Sequence, residues 1–80
     1  MSELTLYTRL GCPLCEEMAA EVGALLAASG HVLRAVDVDA DPGLRERYGW
    51  DVPLLFDGAA EICRHQLNLP ALKAWLRAHP

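Results

Sequence analysis

Eighty residues, 52% of them apolar, are enough for one small core and too few for two, so the chain reads as a single domain over residues 1–80. A net charge of −4 without a Lys/Arg cluster excludes a phosphate-tracking surface, and nucleic acid is not expected as a partner. No apolar run is long enough to span a bilayer and no charged-then-apolar leader opens the sequence, so neither membrane insertion nor export is expected and the reading is cytoplasmic.

The first element is an apolar strand, Leu4-Thr5-Leu6-Tyr7-Thr8, predicted to run on to Gly11. It feeds into Gly11-Cys12-Pro13-Leu14-Cys15, and a long amphipathic pattern leaves this segment at Pro13. Proline suits the first helical position, where an N–H would have no intrahelical partner, so Cys12 falls at the N-cap and Cys15 one turn inside. Orphan N–H groups and the helix dipole favour negative charge there, which makes Cys12 the expected thiolate and nucleophile, and Cys15 the resolving thiol. Sulfurs at this spacing on one helical turn can reach bonding distance, so the pair can cycle between dithiol and disulfide. In a reducing compartment such a pair is catalytic or metal-binding rather than a permanent bridge, and an odd cysteine count agrees, since three thiols cannot all pair.

Along the helix, Leu14, Met18, Val22, Leu25 and Leu26 recur at helical steps and are assigned to the core, with Glu16, Glu17 and Glu21 opposite and Gly30 as the stop. Val32 to Asp39 reads as a second strand, parallel to the first through a right-handed crossover. Asp41-Pro42 caps a short helix carrying Leu44 and Tyr48 and ended by Gly49. Asp37, Asp39 and Asp41 lack the further oxygen ligands and terminal glutamate of a calcium loop, so no metal site is assigned to them. Val52 to Phe56 reads as a third strand, Asp57-Gly58 as a two-residue hairpin turn and Ala60 to Arg64 as a fourth, antiparallel strand in which Ile62 and Cys63 face opposite sides. Asn68 caps a last helix whose stripe is Leu69, Leu72, Trp75 and Leu76. Cys63 is expected to be a small buried hydrophobe, and Trp50 either a packing residue or an exposed platform for a protein substrate. His31, His65 and His79 form no ligand spacing with the cysteines.

The order is β-α-β followed by α-β-β-α. Together with Tyr7-Thr8-Arg9, Cys12-Pro13-Leu14-Cys15, Tyr48-Gly49-Trp50-Asp51-Val52-Pro53 and the Phe56-Asp57-Gly58 turn, it resembles a glutaredoxin of the thioredoxin fold over essentially the whole chain. The resemblance implies an α/β fold with a four-stranded mixed sheet and helices on both faces. It implies a cis Val52-Pro53 bond facing the cysteines, with the Val52 backbone free to pair with an extended substrate beside Pro13 and Leu14. It also implies that Arg9 supports the Cys12 thiolate and meets a carboxylate of glutathione, unless it is an ordinary solvated arginine. The sequence departs from glutathione-binding members after the fourth strand. Where they carry Gly-Gly and an acidic helix cap, this chain has Cys63-Arg64-His65-Gln66-Leu67-Asn68, closer to the short glutaredoxin-like proteins. Bulky side chains there argue against close approach of glutathione, although Arg64 and His65 could receive a carboxylate.

The function implied is thiol-disulfide oxidoreduction, with Cys12 and Cys15 reducing protein disulfides or glutathione mixed disulfides. No bound cofactor or metal is expected. Glutathione is a candidate co-substrate, and glutathione or a thioredoxin reductase-type flavoenzyme a candidate reductant. A monomer is expected, since no unpaired apolar face forces a dimer. Two alternatives stay open: a metal or iron-sulfur handling protein using the Cys12/Cys15 thiolates, and a non-enzymatic adaptor docking through Trp50 and the Arg64–Asn68 loop.

Overall fold

The structure, a computed structural model, describes residues 2–80. Its elements are β1 (Glu3–Thr8), α1 (Pro13–Ala28), β2 (Val32–Asp37), a 3-10 turn (Val38–Ala40), α2 (Pro42–Tyr48), β3 (Leu54–Asp57), β4 (Ala60–Arg64) and α3 (Leu69–Ala78). The strands form one mixed sheet in the order β2-β1-β3-β4. β1 pairs in parallel with β2 from Glu3↔Val32 to Thr8↔Asp37, and β3 pairs antiparallel with both β1 and β4.

Alternation along β1 explains how helices cover both faces. Leu4 and Leu6 point to one side, where they pack with Met18, Val22 and Leu26 of α1, Leu55, Cys63, and Leu72 and Trp75 of α3. Tyr7 points to the other side, where it stacks on Tyr48 of α2 with centroids 4.6 Å apart and meets Phe56 edge-on at 5.4 Å. Each helix starts on a side-chain cap followed by proline: Cys12 for α1, Asp41 for α2 and Asn68 for α3. The caps satisfy N–H groups that the helix itself leaves unpaired.

Several expectations are corrected. β1 stops at Thr8, and Gly11, at φ 72°, belongs to the turn that redirects the chain into α1. β2 ends at Asp37 rather than Asp39, because the Asp37 carboxylate accepts the Asp39 N–H at 2.9 Å and winds Val38–Ala40 into the 3-10 turn. β3 begins at Leu54, leaving Val52 and Pro53 outside the ladder. Asp57 pairs with Ala60, so the hairpin turn is Gly58-Ala59, and Gly58 supplies the positive φ of 58° at its first position. Leu14 and Leu69 are exposed rather than core.

The expected alternation of Ile62 and Cys63 also fails. Leu55 pairs with Cys63 but Phe56 with Glu61, so β4 carries an extra residue and both Ile62 and Cys63 pack against the main core. At the opposite end of the domain, buried His31 joins the chain termini. Its Nδ1 accepts the Ser2 N–H at 3.0 Å, and its Nε2 lies 2.7 Å from the His79 carbonyl. Trp75 fills the space between, edge-on to His31 and stacked on His79, with its Nε1–H donating to Asp57 at 2.8 Å.

Candidate active site

β1 delivers the chain to the cysteines, and β3, antiparallel to it with Tyr7 opposite Leu54, brings Pro53 to the same end of the sheet. Cys12 is the N-cap of α1 and is half-buried; its Sγ accepts the Cys15 N–H at 3.2 Å. Cys15 is 1% exposed, and the two sulfurs are bridged with their Cα atoms 5.2 Å apart. One sulfur therefore meets solvent while its partner lies beneath it. A helix N-terminus directs an N–H at the outer sulfur, the arrangement that favours a thiolate when the bridge is open. Pro13 and Leu14 are exposed beside the pair.

The Val52-Pro53 bond is cis. Pro53 is buried and its carbonyl accepts the His65 N–H at 2.7 Å, which fastens the β4–α3 loop to this end of the sheet. Val52 is half-buried, and among the described residues its N–H and C=O take no hydrogen bond. His65 holds φ 70°, a left-handed conformation that a side chain resists and a glycine accepts freely. His65, Gln66 and Leu67 line an open groove whose other wall is Leu14, Glu17, Met18 and Glu21 of α1.

The candidate cations are all engaged. Arg9 Nε and Nη2 donate to the Asp39 carboxylate at 2.7 and 2.9 Å, and Nη1 donates to the Gly49 carbonyl at 3.0 Å. The hydrogen bond between them holds the Asp39 carboxyl below the usual carboxylate range and raises the guanidinium pKa further. Arg64 makes a bidentate pair with Glu61 at 2.7 and 2.6 Å, and its Nη1 lies 3.3 Å from Asp51. That pairing lowers the Glu61 pKa and raises that of Arg64. His65 Nε2 is 3.1 Å from the other Asp51 oxygen. Arg9 is thus neither a solvated arginine nor aimed at the cysteines: it ties the loop before Cys12 to the Asp39 turn and the end of α2.

Trp50, for which packing was one reading, is 95% exposed, and Leu10 is 86% exposed. Both stand on loops at the cysteine end, and Leu14, in the chain between Cys12 and Cys15, is exposed there too. No sequence signal marks Leu10, nor Asp39 and Asp51 as partners of Arg9 and Arg64, since those pairs form across folded distance; Glu61, by contrast, is only three residues from Arg64 on β4. Among the described residues, no group of three or more His, Cys, Asp or Glu side chains is placed to hold a metal ion. No helix among them is long and apolar enough to cross a membrane.

A Cys-x-x-Cys at the N-terminus of the first helix, on a mixed β2-β1-β3-β4 sheet with helices on both faces, defines a thioredoxin-fold protein. The family model of the Glutaredoxin-like domain (DUF836) matches residues 3–77, and the chain belongs to that family. Among solved structures, XcR50 from X. campestris is 38% identical with a TM-score of 0.69, over 96% of this chain and 99% of that one. Protein Ne2328 from Nitrosomonas europaea is 33% identical with a TM-score of 0.79, over 91% and 88%. A glutaredoxin from Brucella melitensis is 31% identical with a TM-score of 0.53, over 99% and 83%.

Proposed function

We propose that this protein is a thiol-disulfide oxidoreductase. The carrying observation is the half-buried Cys12 sulfur at the N-cap of α1, accepting the Cys15 N–H, with buried Cys15 within bonding reach. In the reduced protein, Cys12 Sγ attacks one sulfur of a substrate disulfide, releases the other as a thiol and forms a mixed disulfide. Cys15 then attacks Cys12 Sγ, releases the second thiol and closes the Cys12–Cys15 bridge. Two electrons pass from the protein to the substrate, and the two cysteine protons end on the released thiols. An external thiol or a flavoenzyme reductant reopens the bridge.

The rest of the site suits this chemistry. Burial lets Cys15 act only on a disulfide already attached to Cys12, which orders the two steps. The unpartnered Val52 amide and carbonyl can receive an extended segment as an added strand beside Cys12. A reducing compartment is the setting in which such a dithiol would work.

The test is turnover of bis(2-hydroxyethyl) disulfide by the wild type and two variants. Cys12→Ser should abolish reduction, whereas Cys15→Ser should accumulate a mixed disulfide on Cys12 visible by intact mass. Wild-type turnover in Cys12→Ser would overturn the proposal.

A further inference from the structure

We infer, resting on the oxidoreductase reading, that the site selects uncharged polypeptide disulfides over glutathione mixed disulfides, with Asp51 and Glu61 as specificity-determining residues that mask Arg64 and His65. Glutathione is an anion at neutral pH, so a site that recruits it needs free cations near the reactive sulfur. Here every nitrogen of the Arg64 guanidinium faces a resident carboxylate, Nε and Nη2 on Glu61 and Nη1 on Asp51. His65 faces the second oxygen of Asp51 at 3.1 Å.

Arg9 is equally committed, to Asp39 and to the Gly49 carbonyl. An incoming carboxylate could bind these groups only by displacing one already there. It would gain the difference between two similar ion pairs and meet repulsion from the displaced acid, so little net attraction remains. The groove between α1 and the His65 loop adds Glu17 and Glu21, which oppose an anion further.

The neutral features of the same end point to the preferred occupant. Leu10 and Leu14, which flank Cys12 in the chain, and Trp50, two residues before Val52, are all exposed, and exposed apolar side chains near a reactive centre favour a partner that buries them. Beside them, Val52 offers an unpartnered N–H and C=O. An extended, uncharged segment bearing a disulfide satisfies both: its backbone pairs with Val52 while its apolar side chains cover the rim.

The test uses two mixed disulfides with the same leaving thiol, 2-mercaptoethanol: one of glutathione, the other of the capped neutral pentapeptide Gly-Val-Cys-Val-Gly. Single-turnover closure of the Cys12–Cys15 bridge in the reduced protein is followed by acid quench and intact mass. Each rate is divided by the rate of the same disulfide with dithiothreitol, which removes differences in leaving-group chemistry. The pentapeptide should react about tenfold faster than glutathione, the scale of one charge-assisted contact withheld. In Asp51→Asn/Glu61→Gln, which frees Arg64 and His65, the glutathione rate should rise several-fold and the ratio shrink. Asp39→Asn, which frees Arg9, serves as an independent variant with the same expected direction.

Equal or faster reaction of the glutathione disulfide in the wild type would overturn the inference while leaving the oxidoreductase reading intact. A tenfold ratio unchanged in both variants would overturn the assignment to the masking carboxylates. If neither disulfide closes the bridge faster than free dithiothreitol reacts, the oxidoreductase reading itself falls.

Discussion

His31→Ala should be among the most costly single substitutions outside the sheet core. The imidazole is 6% exposed, and its two nitrogens link Ser2, ahead of β1, to His79, after α3. The Ser2 N–H donates to Nδ1, so the ring is held as the Nε2–H tautomer, which donates to the His79 carbonyl. Alanine removes two hydrogen bonds worth about 1 kcal/mol each and leaves their backbone partners unsatisfied or reached by water. It also opens a cavity against Trp75, the kind of loss that costs about 1–2 kcal/mol more. The expected total is about 3–4 kcal/mol, which in a domain of this size corresponds to a fall in Tm of roughly 12–32 °C. Urea unfolding followed by far-UV circular dichroism would measure the first quantity and thermal melting the second. A loss below about 0.5 kcal/mol, the ordinary range for surface substitutions, would refute the latch. Nitrogen chemical shifts of His31 showing the opposite tautomer would refute the assigned hydrogen bonds.

Three further outcomes are expected. Gly49→Ala should lower stability by about 1–3 kcal/mol, because the new Cβ would run into the Arg45 carbonyl of α2 and crowd Arg9 Nη2; an unchanged urea midpoint would contradict this. Trp75→Phe keeps an aromatic ring but removes the indole N–H that donates to Asp57 and part of the buried ring volume, and should cost about 1–2 kcal/mol by the same assay, with little effect on Cys12 reactivity. The Asp39 carboxyl should titrate below the usual range in carbon-detected NMR, since Arg9 lowers its folded pKa. By linkage, the stability that pair contributes is present above the unfolded-state pKa and is lost only as pH falls through the folded one. Arg9→Gln should return the titration to the ordinary carboxylate range.

Local signals made much of this fold legible. Cys12-Pro13, Asp41-Pro42 and Asn68 near Pro70 are caps whose chemistry lies within a few residues, and each helix begins where they place it. The parallel β1/β2 pair and the antiparallel hairpin follow from what connects them. What the residues could not tell depended on register or on folded distance. The bulge in β4, which turns both Ile62 and Cys63 toward the core, is set by pairing with Leu55 and Phe56. The pairing of Arg9 with Asp39 forms across a parallel crossover, and no spacing rule announces it. Leu14 satisfies the helical period yet lies in the first turn of α1, beyond the reach of the sheet, so periodicity assigned it to a core it never meets. The Cys12 and Cys15 positions were readable because the helix start defines both of them. The masking of Arg64 was not, because Asp51 reaches it from a loop and Glu61, three residues away on β4, reaches it along a strand that carries an extra residue.

Equilibration of the protein in glutathione buffers, with thiol trapping and intact mass, decides whether Cys12 and Cys15 form a working redox pair. Closure confined to Cys12 and Cys15, with buried Cys63 remaining reduced and a midpoint within about −180 to −270 mV, is the expected result. Both thiols staying reduced across that whole range would show that Cys12 and Cys15 are not a redox pair.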